Sequence, residues 1–315
     1  MTNDHKALRK EENKTMKLSL LSGRGHPALA AAMAGHLETT LAAARIETFP
    51  DGELHVAVAA DLSGHDVYLL QPTGPPVGRQ LLELLLLADA CRRAGAMRVT
   101  AVMPYFGYAR QDRRTEPGEP LGARVLTDAV GTRADRIVTV HLHNPAVEGF
   151  CTTPLEHLFV TDRLADRLRG FGRDAVLVAP DLGAVKLAQH YADLLDLPVA
   201  YVHKERLSGD RVQVRRIVGE VSDRQPIVVD DMISTGGTVV SAIEALRERG
   251  CRTPVTVAAT HAVLAGDALD RLAGQPVDRV VVTNTLPTPK EASLLEIVDI
   301  APLLAGTIRR LHEGG

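Results

Sequence analysis

Cysteine, aromatic side chains, excess charge and long uncharged runs are what this 315-residue chain has least of. Its three cysteines, Cys91, Cys151 and Cys251, have neither the even count nor the close spacing of a disulfide framework or a structural zinc site. That points to a reducing cytoplasm. A formal charge of −3 excludes a protein that coats nucleic acid or an anionic membrane through bulk charge. Any anionic ligand must therefore be met by a local site. No window is free of charge over the roughly 20 residues that a membrane helix needs. The stretch Met1–Lys17 is polar, with no apolar segment of signal-peptide kind. Because Met16 directly precedes the first strand-like run, residues 1–15 are expected to be a flexible extension or a start-site artefact.

What is present is a 45% hydrophobic share, enough for one large core or two medium ones. Short apolar runs alternate with helical patterns: strand-like 17–21, helix-like 27–37, strand-like 66–70, helix-like 78–94 and strand-like 99–103. The alternation resumes at strand-like 175–178, helix-like 183–194, strand-like 227–229, helix-like 238–249 and strand-like 255–259. This is the pattern of βα units around a buried, mainly parallel sheet. The expected fold class is α/β with two such sheets, in domains at 16–160 and 161–315 with a boundary near Phe159–Asp162. The run from Cys91 through Gly95 into Val99–Val102 is echoed by Leu246–Gly250 leading into Val255–Ala258. The echo fits a duplication, and equally a helix stopped by glycine before any strand.

The most specific local feature is Ile227 to Thr238, reading IVVDDMISTGGT, followed at once by a helical pattern. A strand runs into two acids and then a small-residue turn at a helix N-terminus, where free N–H groups and the helix dipole favour a phosphate. Ser234, Thr235 and Thr238 add hydroxyl donors, and Gly236 and Gly237 let the backbone approach closely. Carboxylates beside a phosphate make sense only if Asp230 and Asp231 face ribose hydroxyls or a divalent cation. Elsewhere, the stretch from Pro104 to Arg114, reading PYFGYARQDRR, combines three aromatics with basic groups in a chain holding only 3% aromatics, a composition suited to a nucleoside triphosphate. Lys204 and Arg206, two residues apart at the end of a strand, share a side and suit a polyphosphate. Phe49-Pro50-Asp51-Gly52-Glu53 reads as a turn on composition. Gly23-Arg24-Gly25-His26-Pro27-Ala28 fits a loose dinucleotide fingerprint with Glu47 downstream, or a plain strand-to-helix turn. His141 and His143 alternate as a zinc pair on one strand face would, without a third and fourth ligand at suitable spacing.

The 227–238 segment resembles the phosphoribosyl pyrophosphate loop of the type I phosphoribosyltransferase superfamily. Taken with the other segments, the chain from about Lys17 onward resembles the ribose-phosphate pyrophosphokinases. The resemblance implies two tandem phosphoribosyltransferase-like domains that transfer the diphosphate of ATP to the 1-hydroxyl of ribose 5-phosphate. It implies that Phe49, Asp51, Gly52, Glu53, Arg110 and Gln111 bind ATP, the first group usually across a subunit boundary. It makes Lys204 and Arg206 catalytic, with Arg206, Asp230, Asp231, Ser234, Thr235, Gly236, Gly237 and Thr238 on ribose 5-phosphate. His143 and Asp181 match the metal-binding positions, for magnesium. A homo-oligomer, as dimers or a hexamer, is also implied, with no nucleic-acid or membrane partner.

Two positions depart from the usual pattern. His141 stands where many members have Asp, which bears on metal affinity and its pH dependence. Ser234 replaces a frequent Asp in the phosphate turn. A catalytically silent regulatory relative and a phosphoribosyltransferase are the rival readings. The first would not need Lys204, Arg206, His143 and Asp181 together, and the second would not need the 49–53 and 110–111 segments.

Overall fold

The computed structural model describes residues 16–206, 213–289 and 292–314, and the chain divides into two compact units. The first runs to Leu158 and regains the chain at Thr285–Pro287 and from Asp299 onward, while the second holds Phe159–Asn284 and Thr288–Val298. The sequence reading had instead given all of 161–315 to the second domain.

In the first unit the elements are β1 (Leu18–Ser22), α1 (Pro27–His36), β2 (Ala44–Thr48), β3 (Leu54–Val58), β4 (Asp66–Leu70), α2 (Val77–Arg93), β5 (Arg98–Met103), α3 (Gly122–Gly131), β6 (Arg136–Val140), a 3-10 turn at Pro145–Phe150, and β7 (Leu155–Leu158). The sheet order is β1-β4-β5-β6-β7 and every neighbouring pair is parallel. Strands β2 and β3 form a separate antiparallel hairpin. All five residues of β4 are buried, as expected of a parallel strand covered on both faces. Helix α2 turns Leu84, Leu87, Ala88 and Cys91 inward, the i, i+3, i+4, i+7 stripe of an amphipathic helix.

The second unit continues with α4 (Thr161–Leu168), β8 (Ala175–Ala179), α5 (Val185–Leu195), β9 (Val199–Arg206), β10 (Gln213–Val218), β11 (Gln225–Ile233), α6 (Gly237–Glu248), β12 (Val255–Ala262), α7 (Ala268–Ala273), β13 (Val277–Thr283) and β14 (Leu295–Val298). Its sheet order is β10-β9-β8-β11-β12-β13-β14, parallel except for β10 against β9. The expected class of two mainly parallel α/β sheets flanked by helices is therefore what the chain forms.

The internal echo has a local cause. After α2 the Gly95 N–H donates to the Arg92 carbonyl at 3.0 Å and the Ala96 N–H to Cys91 at 3.0 Å; after α6 the Gly250 N–H donates to Arg247 at 3.0 Å and the Cys251 N–H to Leu246 at 3.1 Å. Both glycines have positive φ, +93° and +74°, so each helix is stopped by the same left-handed cap before the next parallel strand. At Gly95 a side chain is also excluded by space, because a Cβ would lie 2.9 Å from the Ser63 Cα.

The last helix, α8 (Ala301–His312), belongs to the first unit. It buries Ala301, Leu304, Ala305, Ile308 and Leu311, and Arg309 and Arg310 bond to the His36 carbonyl and to Glu156. At its end His312 Nδ1 lies 2.8 Å from Asp66 Oδ2, while Arg98 Nε donates to Asp66 Oδ1 at 2.7 Å. Burial works to raise the pKa of Asp66, but the bonds from Arg98 and His312 outweigh it and hold the carboxyl below its usual range.

Candidate active site

Ligands of α/β sheets collect beyond the carboxyl ends of the strands. In the second unit, β9, β8 and β11 are adjacent and parallel, and each ends in a segment singled out in the sequence. Asp181 follows β8, Lys204 and Arg206 close β9, and β11 leads into the turn before α6. The side chains of Lys204 and Arg206 lie outside the described residues. Strand β11 is longer than the sequence suggested: it runs to Ile233, so Asp230 and Asp231 sit within the strand rather than beyond it.

The turn after β11 is shaped by Gly236, which has φ +76° and stands at the start of α6, where no side chain caps the helix. Its carbonyl accepts the first helical bond, from Val240 N–H at 2.9 Å. The loop after β12 supports this turn from below: Leu264 N–H donates to the Ile233 carbonyl and Ala265 N–H to the Ser234 carbonyl, each at 2.9 Å. Thr235 and Gly237 are exposed, and Ser234 and Thr238 are half-buried, on a backbone held by these bonds. This clamp was missed from the sequence, because nothing in Leu264 itself marks a residue held at φ +47°.

Asp230 carries the strongest electrostatic signature. Burial first, and then the charge of Asp231, push its carboxyl up to about 8, with Asp181 adding in the same direction. A cation or a set of hydroxyl donors at this place would relieve the cost of ionising Asp230. Asp181 itself is half-buried, and its Oδ1 accepts the Gly183 N–H at 2.9 Å at the entry to α5.

In the first unit, the loops after neighbouring strands β5 and β6 carry Arg110, Gln111 and His143. Arg110, Gln111 and His143 are exposed. The two loops are joined by Asn144, whose Nδ2 donates to Asp112 Oδ2 at 2.5 Å. The aromatic reading of the 104–114 segment needs correction. Tyr105 and Phe106 are buried, 8% and 3% exposed, and Phe106 is part of the core, whereas Tyr108 is 40% exposed. Two of the three rings therefore anchor the loop and only Tyr108 faces solvent. The zinc-pair reading fails on geometry, since β6 ends at Val140 and His141 takes φ +43°, so His141 and His143 do not share a strand face.

Residues Phe49 to Glu53 form the tip of the β2–β3 hairpin, closed by Phe49 N–H to the Glu53 carbonyl at 2.8 Å and turned by Gly52 at φ +95°. Glu53 N–H donates to Asp51 Oδ1 at 3.0 Å, and Phe49 is 45% exposed. The dinucleotide fingerprint is filled by the protein itself. Arg24 N–H donates to Glu83 Oε1 at 2.6 Å and Gly25 N–H to Gln71 Oε1 at 3.0 Å. A carboxylate already occupies the place where an anionic diphosphate would bind, which leaves the plain strand-to-helix turn.

Comparison with known proteins bears on all of these segments together. Residues 18–132 match the N-terminal domain of ribose phosphate pyrophosphokinase, and residues 212–315 the phosphoribosyl synthetase-associated domain. The ribose-phosphate pyrophosphokinase of Caldanaerobacter subterraneus subsp. tengcongensis is 39% identical over 305 residues, covering 95% of this chain and 96% of that protein. The chain belongs to the ribose-phosphate pyrophosphokinase family. The enzyme of that name from Streptomyces avermitilis is 40% identical over 307 residues, 95% of this chain and 94% of its own length. Among solved structures, phosphoribosylpyrophosphate synthetase from Mycobacterium smegmatis aligns with a TM-score of 0.90 at 39% identity, covering 95% of this chain and 100% of that one.

Within this family frame, a divalent cation suits the donors found. Magnesium takes few protein ligands, one or two carboxylates, and fills its shell with water and phosphate oxygens. In the second unit the half-buried Asp181 offers a carboxylate, and in the first unit the exposed His143 offers a ring nitrogen. Among the described residues no group of three or more His, Cys, Asp or Glu forms a closed metal cage. Open donors of this kind suit a weakly held cation whose shell is completed by water and phosphate oxygens.

Proposed function

We propose that the chain is a cytoplasmic ribose-phosphate diphosphokinase, converting ATP and ribose 5-phosphate to AMP and phosphoribosyl pyrophosphate. The observation that carries this reading is the gathering of three segments at the carboxyl ends of adjacent strands β9, β8 and β11: a Lys/Arg pair, an acid, and a diacid strand leading into a glycine turn.

In this reading the 5-phosphate rests on the donors of Ser234, Thr235, Gly237 and Thr238 around the left-handed Gly236, at the positive end of α6. Asp230 and Asp231 accept from the ribose hydroxyls. Phe49, Asp51, Gly52 and Glu53 hold the adenine, and Arg110 and Gln111 serve the rest of the nucleotide. An exposed Phe49 at a hairpin tip supports a partner protomer's share in that site, and hence a homo-oligomer. His143 and Asp181 are the candidate magnesium ligands, and the ion would neutralise diphosphate charge when bound.

The 1-hydroxyl oxygen attacks the β-phosphorus, the bond from that phosphorus to the α,β-bridging oxygen breaks, AMP leaves, and the hydroxyl proton is lost to solvent. Lys204 and Arg206 stabilise the charge that builds on the transferred group, so catalysis comes from positioning and electrostatics rather than a covalent intermediate. Purified protein mixed with ATP, magnesium and ribose 5-phosphate should release AMP only when the sugar is present. No AMP from folded protein would bring the silent-relative reading forward.

A further inference from the structure

The loop carrying His141 and His143 is held by a ring that the sequence does not single out. His157 lies on β7, paired with Thr139 of β6, and its side chain is only 4% exposed. Its Nε2 is 2.8 Å from the Leu142 backbone N, and its Nδ1 is 2.6 Å from Glu148 Oε1. A backbone N–H can only donate, so Nε2 accepts. The ring proton is then on Nδ1 and is donated to Glu148, which fixes one neutral tautomer. Beyond His143 the segment is pinned again, because Asn144 Oδ1 accepts the Ala146 N–H at 3.0 Å while its Nδ2 donates to Asp112. His143 lies between these two anchors, and His141 just before them is held at φ +43°, a conformation that persists in a non-glycine residue when its surroundings impose it.

We propose that His157, oriented by Glu148, is a positioning residue for the divalent-cation site at His143, acting through the Leu142 backbone. The inference rests on the reading that His143 is a metal ligand. Groups that orient a ligand in this way commonly change metal affinity when removed, without touching the metal.

The test uses the full chain, with Mn2+ as the probe and loss of the free-ion electron paramagnetic resonance signal as the readout. His157→Leu should weaken Mn2+ binding by about tenfold or more, while His157→Gln, which can both accept from Leu142 and donate to Glu148, should retain most of it. The KM for ribose 5-phosphate should stay unchanged in both. If His157→Leu does not fold, Glu148→Leu at its exposed position should show the same loss by freeing the tautomer. Nitrogen-15 spectra of the metal-free wild type should show His157 protonated on Nδ1. Wild-type-like Mn2+ binding in the Leu variants, an equal loss in His157→Gln, or a proton on Nε2 would overturn the proposal. A wild type that fails to bind Mn2+ while keeping the Nδ1 proton would instead remove the metal reading, and this proposal with it.

Discussion

Gly236→Ala is the substitution whose effect follows most directly from the geometry. Gly236 sits at φ +76° and ψ −9°, and an L-residue held there costs about 1–2 kcal/mol. Space adds little, since a Cβ would lie 3.4 Å from the Ala268 carbonyl oxygen, at the edge of ordinary contact. The strain is therefore conformational, and a chain of this size should lose roughly 2–8 °C in Tm. Asn tolerates the left-handed region better, so Gly236→Asn should fall between the two. If alanine relaxes to negative φ instead, the carbonyl that accepts from Val240 turns away and the donors of the phosphate turn are misdirected. An interaction loss of about 1.4 kcal/mol corresponds to a tenfold rise in KM for ribose 5-phosphate. The KM for ATP should be nearly unaffected. Thermal unfolding and initial rates over both substrates measure this, and either an unchanged Tm with unchanged kinetics or an equal rise in both KM values would refute the reasoning.

Asp230 holds its proton to about pH 8 in the fold but only to about 4 in the unfolded chain, so its ionisation opposes folding: the ligand-free protein should lose stability as pH rises from about 4 to 8. Asp230→Asn should remove that part of the slope, and denaturant titrations of both proteins giving parallel pH profiles would count against it. Lys204→Ala should lower kcat far more than it weakens ribose 5-phosphate binding, and equal losses in a rate and binding comparison would leave Lys204 with ground-state affinity alone. Phe106→Ala should cost about 3–5 kcal/mol as a core truncation, against less than about 1 kcal/mol for the exposed Tyr108→Ala. Urea unfolding distinguishes them, and similar losses would mean that Tyr108 is structural too.

The βα rhythm was legible because the buried parallel strand β8 is an unbroken apolar run and β4 departs from one only at Asp66, and because α2 and α6 end in the same glycine cap. Asp230 through Thr238 were legible for a related reason, since a strand, two acids and a glycine turn lie consecutively in the chain. What escaped the sequence depends on contacts between distant residues. The return of α8 to the first unit rests on pairs such as His312 with Asp66, 246 positions apart. Glu83 filling the Gly23–Gly25 turn lies 59 residues from Arg24. Burial decided the rings at 105 and 106, which composition could not separate from Tyr108. His157 looked like one histidine among 12 until β7 was laid beside β6.

The central claim is that a diphosphate group moves as a unit to the sugar. ATP labelled with phosphorus-32 at the β position, incubated with the protein, magnesium and ribose 5-phosphate, tests it most directly. The account predicts that all transferred label appears in phosphoribosyl pyrophosphate, with unlabelled AMP in equal amount. Label retained in ADP, or released as free pyrophosphate without the sugar, would contradict it.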